Sequence, residues 1–335
     1  MNLVAISTSN DLEFFQNSSL YQGFDTATFA LHQPDVHFLL LENNQPLARC
    51  SLWWDTVPTY EAERIGFIGH YKSLSNETAE ELLEQACQHL VKQACTLAIG
   101  PIDGTTWRKY RFVTESPLGA PPFLLEPTNS PDYPKQWLQQ GFTPLVHYTS
   151  ALQSSLEADL EVTRRLDKLV NTRLAKAGIA FRSLDTGRIE RELETIFNIS
   201  LKSFADNFLY SPISKEEFML SYQKILPFAL PDLVLFAELD GEAIGYVFGI
   251  PDVLQKQRGE TLDTFIIKTL AVLPEHTNKG LGTVLVDLVI RKAKELGFKK
   301  AIHALMLETN QSQTISERFS SHLLRRYTLY AKRLF

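Results

Sequence analysis

Cysteine is scarce in this chain: Cys50, Cys87 and Cys95 are the only three, an odd number without C-x-x-C spacing. That argues against a disulfide framework and a thiolate zinc site, so no metal is expected and a reducing compartment fits. Cys87 and Cys95 share one predicted helix and read as core filling. Long apolar runs are missing too. A stretch such as His37-Phe38-Leu39-Leu40-Leu41 is far too short to span a bilayer, and residues 1–20 carry Asp11 and Glu13 without the apolar centre of a signal peptide. No membrane partner is expected, and the cytoplasm is the expected location. Basic surplus is absent as well. A formal net charge of −6 gives no nucleic-acid footprint.

What the chain has is length and repetition. Its 335 residues exceed a usual single core and predict two domains. Along the first half the patterns predict a helix over 11–20, a hairpin of strands 36–41 and 47–55, and a strand at 64–71. A helix over 77–93 follows, with Asn76 as its N-cap, then a strand at 96–99. A proline-rich loop spans 117–134, followed by a short helix at 133–140 and a strand at 142–152. Residues 156–177 read as a charged connecting helix. The second half predicts a strand at 180–184, helices at 189–204 and 215–225, and a hairpin of 233–238 and 243–250. The core strand and helix come next, then a strand at 301–307, a helix at 312–324 and a strand at 327–334. The two halves follow the same plan, with ENNQPLARCSLWWD answering ELDGEAIGYVFGIPD, so an internal duplication of an α/β unit is expected.

Residues 264–296 carry the strongest chemical signal. An apolar, β-branched run ends at Pro274. A polar loop leads to Gly280-Leu281-Gly282, after which Leu281, Val284, Leu285, Leu288 and Val289 form one helical stripe. Strand, glycine loop and helix in that order make an anion site. The first helical N–H groups lack intrahelical partners and the helix dipole adds positive potential there. Gly280 and Gly282 let a phosphate approach the backbone, and Lys279 adds a charge. The alternative is a turn whose glycines serve geometry alone. The loop lacks both the triphosphate signature and the third glycine of a dinucleotide fingerprint.

This stretch resembles the acetyl-CoA-binding core of the GNAT acyltransferases, whose loop runs [QR]-x-x-G-x-[GA]. Thr277-Asn278-Lys279-Gly280-Leu281-Gly282 aligns with it, Thr277 standing where the family has Gln or Arg. The resemblance implies a mixed α/β fold of two tandem GNAT-like units: a degenerate one at 1–152, a connecting helix at 153–178, and a coenzyme-binding one at 179–335. It implies acetyl-CoA or another acyl-CoA as co-substrate and an amine acceptor as partner, with a homodimer as one allowed assembly. The backbone of Leu270, Ala271 and Val272 would bind the pantetheine arm. Residues Thr277, Asn278, Lys279, Gly280, Leu281, Gly282 and Thr283 would take the pyrophosphate, and Asn310 would face the coenzyme. Tyr327, or else Tyr330, would be the general acid. Glu308, Asp263, His303 or an ordered water would be the base.

In the first half the corresponding loop, 70–76, has no G-x-G, and Glu77, Glu80, Glu81 and Glu84 follow it. Carboxylates there would repel a pyrophosphate. This half is expected to be scaffold or pocket wall. Phe204, Phe208 and Tyr210 are candidates for an acceptor wall, with core filling the alternative. The pentad Trp107-Arg108-Lys109-Tyr110-Arg111 reads as a solvated loop, with stacking on a base or ligand the alternative, and Lys292, Lys294, Lys299 and Lys300 read as a solvated helix end. Two other functions stay open: a FemX-like peptidyl transferase using aminoacyl-tRNA, which the acidic charge and intact glycine loop oppose, and a non-catalytic coenzyme-binding scaffold.

Overall fold

The computed structural model describes all residues except 7–10, 13, 16, 25, 158–159 and 278, with backbone only at 27 and 28. The first half contributes strands β1 (Asn2–Ile6), β2 (Val36–Glu42), β3 (Gln45–Trp53), β4 (Ile65–Ser73), β5 (Leu97–Gly100), β6 (Phe112–Glu115) and β7 (Thr143–Gln153). Its helices are α1 (Thr26–His32), α2 (Asn76–Lys92) and α3 (Tyr133–Gln139). The connector holds α4 (Leu160–Leu169), continued by a π-helical turn at Val170–Leu174. The second half contributes β8 (Ile179–Ser183), β9 (Val234–Leu239), β10 (Glu242–Pro251), β11 (Thr264–Val272), β12 (Lys300–Leu307) and β13 (His322–Arg333). Its helices are α5 (Ile189–Ser203), α6 (Lys215–Gln223), α7 (Leu254–Gln257), α8 (Leu281–Glu295) and α9 (Gln311–Glu317).

All these strands join one sheet, in the order β1-β2-β3-β4-β5-β13-β7-β12-β11-β10-β9-β8, with β6 also on β13. Read from either end the plan is the same: antiparallel strands, then one parallel pair, β4 with β5 or β11 with β12. At the centre the halves have exchanged their last strands. β13 pairs with β5 of the first half, placing Tyr330 opposite Gly100, while β7 pairs with β12 of the second half, placing Leu152 opposite Ile302. β7 and β13 pair with each other, Tyr148 opposite Tyr327. The repeated order is that of a tandem α/β architecture with a mixed sheet.

The helices dock by the stripes that the sequence shows. Ala79, Leu82, Leu83, Ala86 and Leu90 of α2 bury against Phe38, Leu40, Leu52 and Ile68. Leu281, Val284, Leu285 and Val289 of α8 bury against Leu235, Val247 and Phe265. On the other face of the second half, Ile196 and Phe218 pack on Phe236, Tyr246 and Phe248. Each buried Leu, Ile, Val or Phe among them contributes roughly 1.5–3 kcal/mol on leaving water.

Several boundaries differ from expectation. Ser75, not Asn76, caps α2: its side chain accepts from the Thr78 amide, and Thr78 returns the contact in a capping box. The helix expected at 312–324 ends at Glu317, because the chain turns at Ser320 (φ 54°) and enters β13 at His322. Part of the helix expected at 11–20 lies outside the described residues; Ser19–Tyr21 is a 3-10 turn. β1 and α1 had no expectation at all.

Three histidines are buried: His37, His70 and His303. Burial holds the first two well below the ordinary 6.5, with Arg49 adding to the effect, and holds His303 at about 4. A folded pKa below the unfolded one means stability is fully present above 6.5 and is lost as pH falls toward the folded value. His303 alone should cost about 2 kcal/mol between pH 7 and pH 5. Urea unfolding at the two pH values tests this; an unchanged midpoint would show that these imidazoles are not held neutral.

Candidate active site

β11 and β12 run side by side only from Thr264 opposite Lys300 to Ile267 opposite His303. Past that point each follows its outer neighbour. β11 stays on β10, with a bulge at Lys268 where the register shifts between Phe248 and Gly249. β12 stays on β7, with a shift between His303 and Met306 and Leu305 at φ 60°. Paired bulges on opposite sides bend the strands apart, so the inner edges of 268–272 and 304–307 face a gap.

A cavity of about 700 Å³ occupies that gap. Leu270, Val286, Asn310 and Ile315 line it beside α8, and Phe204, Tyr222 and Ile225 line it beside α5 and α6. It therefore reaches both faces of the sheet, which a continuous ladder would forbid. First-half residues 106–111 and 125–128, with Tyr148 of β7, close its far side.

Beside the gap, β11 leads into a 3-10 turn at Pro274–His276 and then α8. Gly280 is the N-cap, at φ 80°, and an added Cβ would lie 2.9 Å from Leu169 Cδ2. Left-handed geometry and that close contact both call for glycine. At Gly282 an added Cβ would meet Ile315 Cδ1 at 3.3 Å and Leu270 Cδ2 at 3.4 Å. Among the described residues no side chain caps α8. Thr277 Oγ1 donates to the Pro274 carbonyl at 2.8 Å and Lys279 Nζ to the Glu275 carbonyl at 3.2 Å, so both fold back on the loop. Asn278 lies outside the described residues. Leu270 and Asn310 do border the cavity, and the Asn310 side chain makes no capping bond to α9.

The acid and base candidates from the sequence do not assemble here. Tyr330 sits in the first-half core near Trp137 and Phe112, because β13 crosses over to β5. Tyr327 is fully buried. Its hydroxyl donates to Glu126 and lies 3.0 Å from Ser150 Oγ, and burial, then Glu126, drives its pKa above the ordinary 10. A phenol with that environment is a poor proton donor to a leaving thiolate. Glu308 accepts from Arg326 Nε at 2.8 Å, and Asp263 pairs with Lys300 at 3.1 Å at the start of β11, away from the gap. His303 lines the cavity, its Nε2 3.4 Å from Gln153 Oε1.

The pentad read as a solvated loop is instead a seam between the halves. Trp107 Nε1 donates to the Ser211 carbonyl at 2.8 Å, and Arg108 pairs with Glu217 at 2.6 Å. Phe204, Phe208 and Tyr210 line the cavity, while Phe204 and Phe208 also pack against core clusters. Glu126 and Tyr148 had no signal in the sequence, and Arg111 had only that of the pentad, since only the exchanged strands bring them to the second-half gap.

The first-half counterpart is closed. Its α2 is capped by Ser75, and Gln136 Nε2 donates to the Ser75 carbonyl at 3.3 Å and to Asn76 Oδ1 at 3.2 Å. The matching space between β4 and β5 measures about 200 Å³ and holds His32, Arg49, His70 and Asp103. Among the described residues no cluster of His, Cys, Asp or Glu could hold a metal ion, and no helix is long and apolar enough to cross a membrane.

Comparison with known proteins matches this geometry. Residues 194–321 match the model of the Acetyltransferase (GNAT) family, the match stopping where β13 begins. A bacterial ceramide synthase of Caulobacter vibrioides is 22% identical over 182 residues, covering 47% of this chain and 47% of that protein. The chain thus spans about half the length of the curated relative it matches. Among solved structures, a tandem GNAT protein from the clavulanic acid biosynthesis pathway superposes with a TM-score of 0.51 at 11% identity, over 100% of this chain and 99% of that one. The GCN5-related glucosamine N-acetyltransferase region of a fungal multi-domain β-N-acetylglucosaminidase superposes with a TM-score of 0.56 at 11% identity, over 99% of this chain and 38% of that one. The chain carries the GNAT-superfamily acetyltransferase fold in a tandem architecture, with the family's sequence pattern in its second half.

Proposed function

We propose that the second half transfers an acyl group, acetyl in the simplest case, from acyl-CoA to an amine. The observation that carries this reading is the cavity passing through the β11–β12 gap beside a helix N-terminus that no described side chain caps. The amides of Leu281, Gly282 and Thr283 fit a pyrophosphate, with Lys279 adding charge. The unpaired edge of 268–272, including Leu270, Ala271 and Val272, fits an extended amide-bearing arm such as pantetheine, and Asn310 borders its path. Acyl-CoA supplies a thioester, already activated for attack.

The chain's own part is positioning and electrostatics. Lys268, in the β11 bulge, borders the cavity. A cation there lowers the pKa of an incoming ammonium and so favours the neutral, nucleophilic amine. Free amides on the strand edge are oriented to stabilise negative charge on the reacting carbonyl oxygen. The C–N bond forms, the C–S bond breaks, and the proton lost by nitrogen ends on sulfur, so no further reactant is required. The first half contributes Tyr148 and residues 106–111 and 125–128 as the wall of the acceptor side.

A panel of amines with acetyl-CoA, read by release of free thiol, tests this. Thiol release should exceed the amine-free rate at least about tenfold for a matching acceptor. A full chain that binds no coenzyme A by calorimetry would contradict the reading and leave the scaffold or aminoacyl-tRNA alternatives.

A further inference from the structure

Arg111 lies where the large cavity meets the small one and lines both. It is only 6% exposed, and its Nε and Nη1 have no hydrogen-bond partner. Its guanidinium carbon sits 3.9 Å from the centre of the Tyr110 ring and 4.0 Å from that of Tyr148. Cation–π contacts offset only part of the cost of taking a charge out of water, and buried guanidinium N–H groups are ordinarily matched by an acceptor. The two rings stand perpendicular to each other, 87° between planes with centroids 5.5 Å apart, so they sit at a right angle about the guanidinium and supply no acceptor for its unpartnered nitrogens.

The other charges around the large cavity do not supply the missing anion. Arg108 is matched by Glu217, and Glu126 is held by Arg325 at 2.6 Å. Lys109 donates to the Thr128 carbonyl at 2.7 Å and has Asp103 in its field. Arg111 and Lys268, which also line the cavity, form no ion pair with a described carboxylate; Lys268 Nζ lies over the Tyr222 ring instead. Arg111 belongs to the first half, on the acceptor side of the gap, whereas the loop at 277–283 lies beside α8.

We propose that Arg111 docks an anionic group, a carboxylate or a phosphate monoester, carried by the acceptor molecule. The assignment to an acceptor rests on the acyl-transfer reading above; the anion site itself does not. A buried guanidinium without a protein acceptor is suited to charge-assisted hydrogen bonds with a carboxylate or phosphate oxygen. The acceptor class is then an amine with an acidic group, such as an amino acid or an amino-sugar phosphate.

The test uses the full chain with Gly282→Glu, which removes the other anion site, titrated calorimetrically with inorganic phosphate and separately with acetate. Saturable binding of either is expected, with at least about a tenfold loss when Arg111→Gln is added and a smaller loss with Arg111→Lys. Phosphate alone would assign a phosphate monoester and acetate alone a carboxylate. Binding of neither, or equal binding with and without Arg111→Gln, would overturn the proposal. In the otherwise unaltered protein, Arg111→Gln should melt no lower than the parent and bind coenzyme A within about twofold of it. A parallel loss of coenzyme A affinity would place Arg111 in the coenzyme site and overturn the acceptor assignment. Failure of the parent to bind coenzyme A, with the Arg111-dependent anion signal intact, would sink the acyl-transfer reading instead.

Discussion

Replacing Gly282 by glutamate should lower coenzyme A affinity by about two to three orders of magnitude while the chain still folds. A carboxylate in the first turn of α8 stands a few ångströms from where the pyrophosphate is proposed to sit. Two like charges at that distance repel by about 3–4 kcal/mol in a half-buried setting. The position tolerates the new backbone substituent, because the atoms a Cβ would meet, Ile315 Cδ1 at 3.3 Å and Leu270 Cδ2 at 3.4 Å, are ends of side chains that can move. Calorimetric titration with coenzyme A reads the effect directly. Affinity within about threefold of the parent would remove the diphosphate from this helix end.

Substituting Arg325 by methionine should cost about 3–5 kcal/mol of stability. Arg325 is 4% exposed and Glu126 has a side-chain exposure of 1%. The guanidinium binds Glu126 at 2.6 Å, the Ala120 and Pro121 carbonyls at 2.8 Å each, and Ser116 Oγ at 3.0 Å. One side chain on β13 thus fastens much of the proline-rich loop, and methionine would leave a carboxylate buried without its cation. Chemical denaturation measures the loss. Adding Glu126→Leu should recover much of it, since the penalty comes from the orphaned charge. A single-variant loss below about 1 kcal/mol would mean that the pair is far more hydrated than its burial indicates.

What could be read from the sequence was local. The stripe Leu281, Val284, Leu285, Val289 identifies a helix by its period, and Gly280 marks its start because a left-handed residue is needed there. Helix 133–140 and the two hairpins were legible for the same reason: turn residues and apolar alternation act within a few positions. The surroundings of Tyr327 and Tyr330 were not, because the partner of β13 is decided by long-range pairing. Nothing near Tyr330 says that it will face Gly100. Arg111 was misjudged on similar grounds. A pentad of cations and aromatics looks solvated until the second half covers it, with Ser211 and Glu217 taking up Trp107 and Arg108.

The exchanged strands also bear on synthesis. As the chain leaves the ribosome, β5 is made early, yet the strand that flanks it is 322–333. The contact between Thr114 and Thr328 spans 214 positions. Until that last segment emerges, the first half presents an open strand edge, the kind of surface that recruits other nascent chains. Its early β-hairpins can form, but its sheet is sealed only after the second half exists, so closing both halves is one late event.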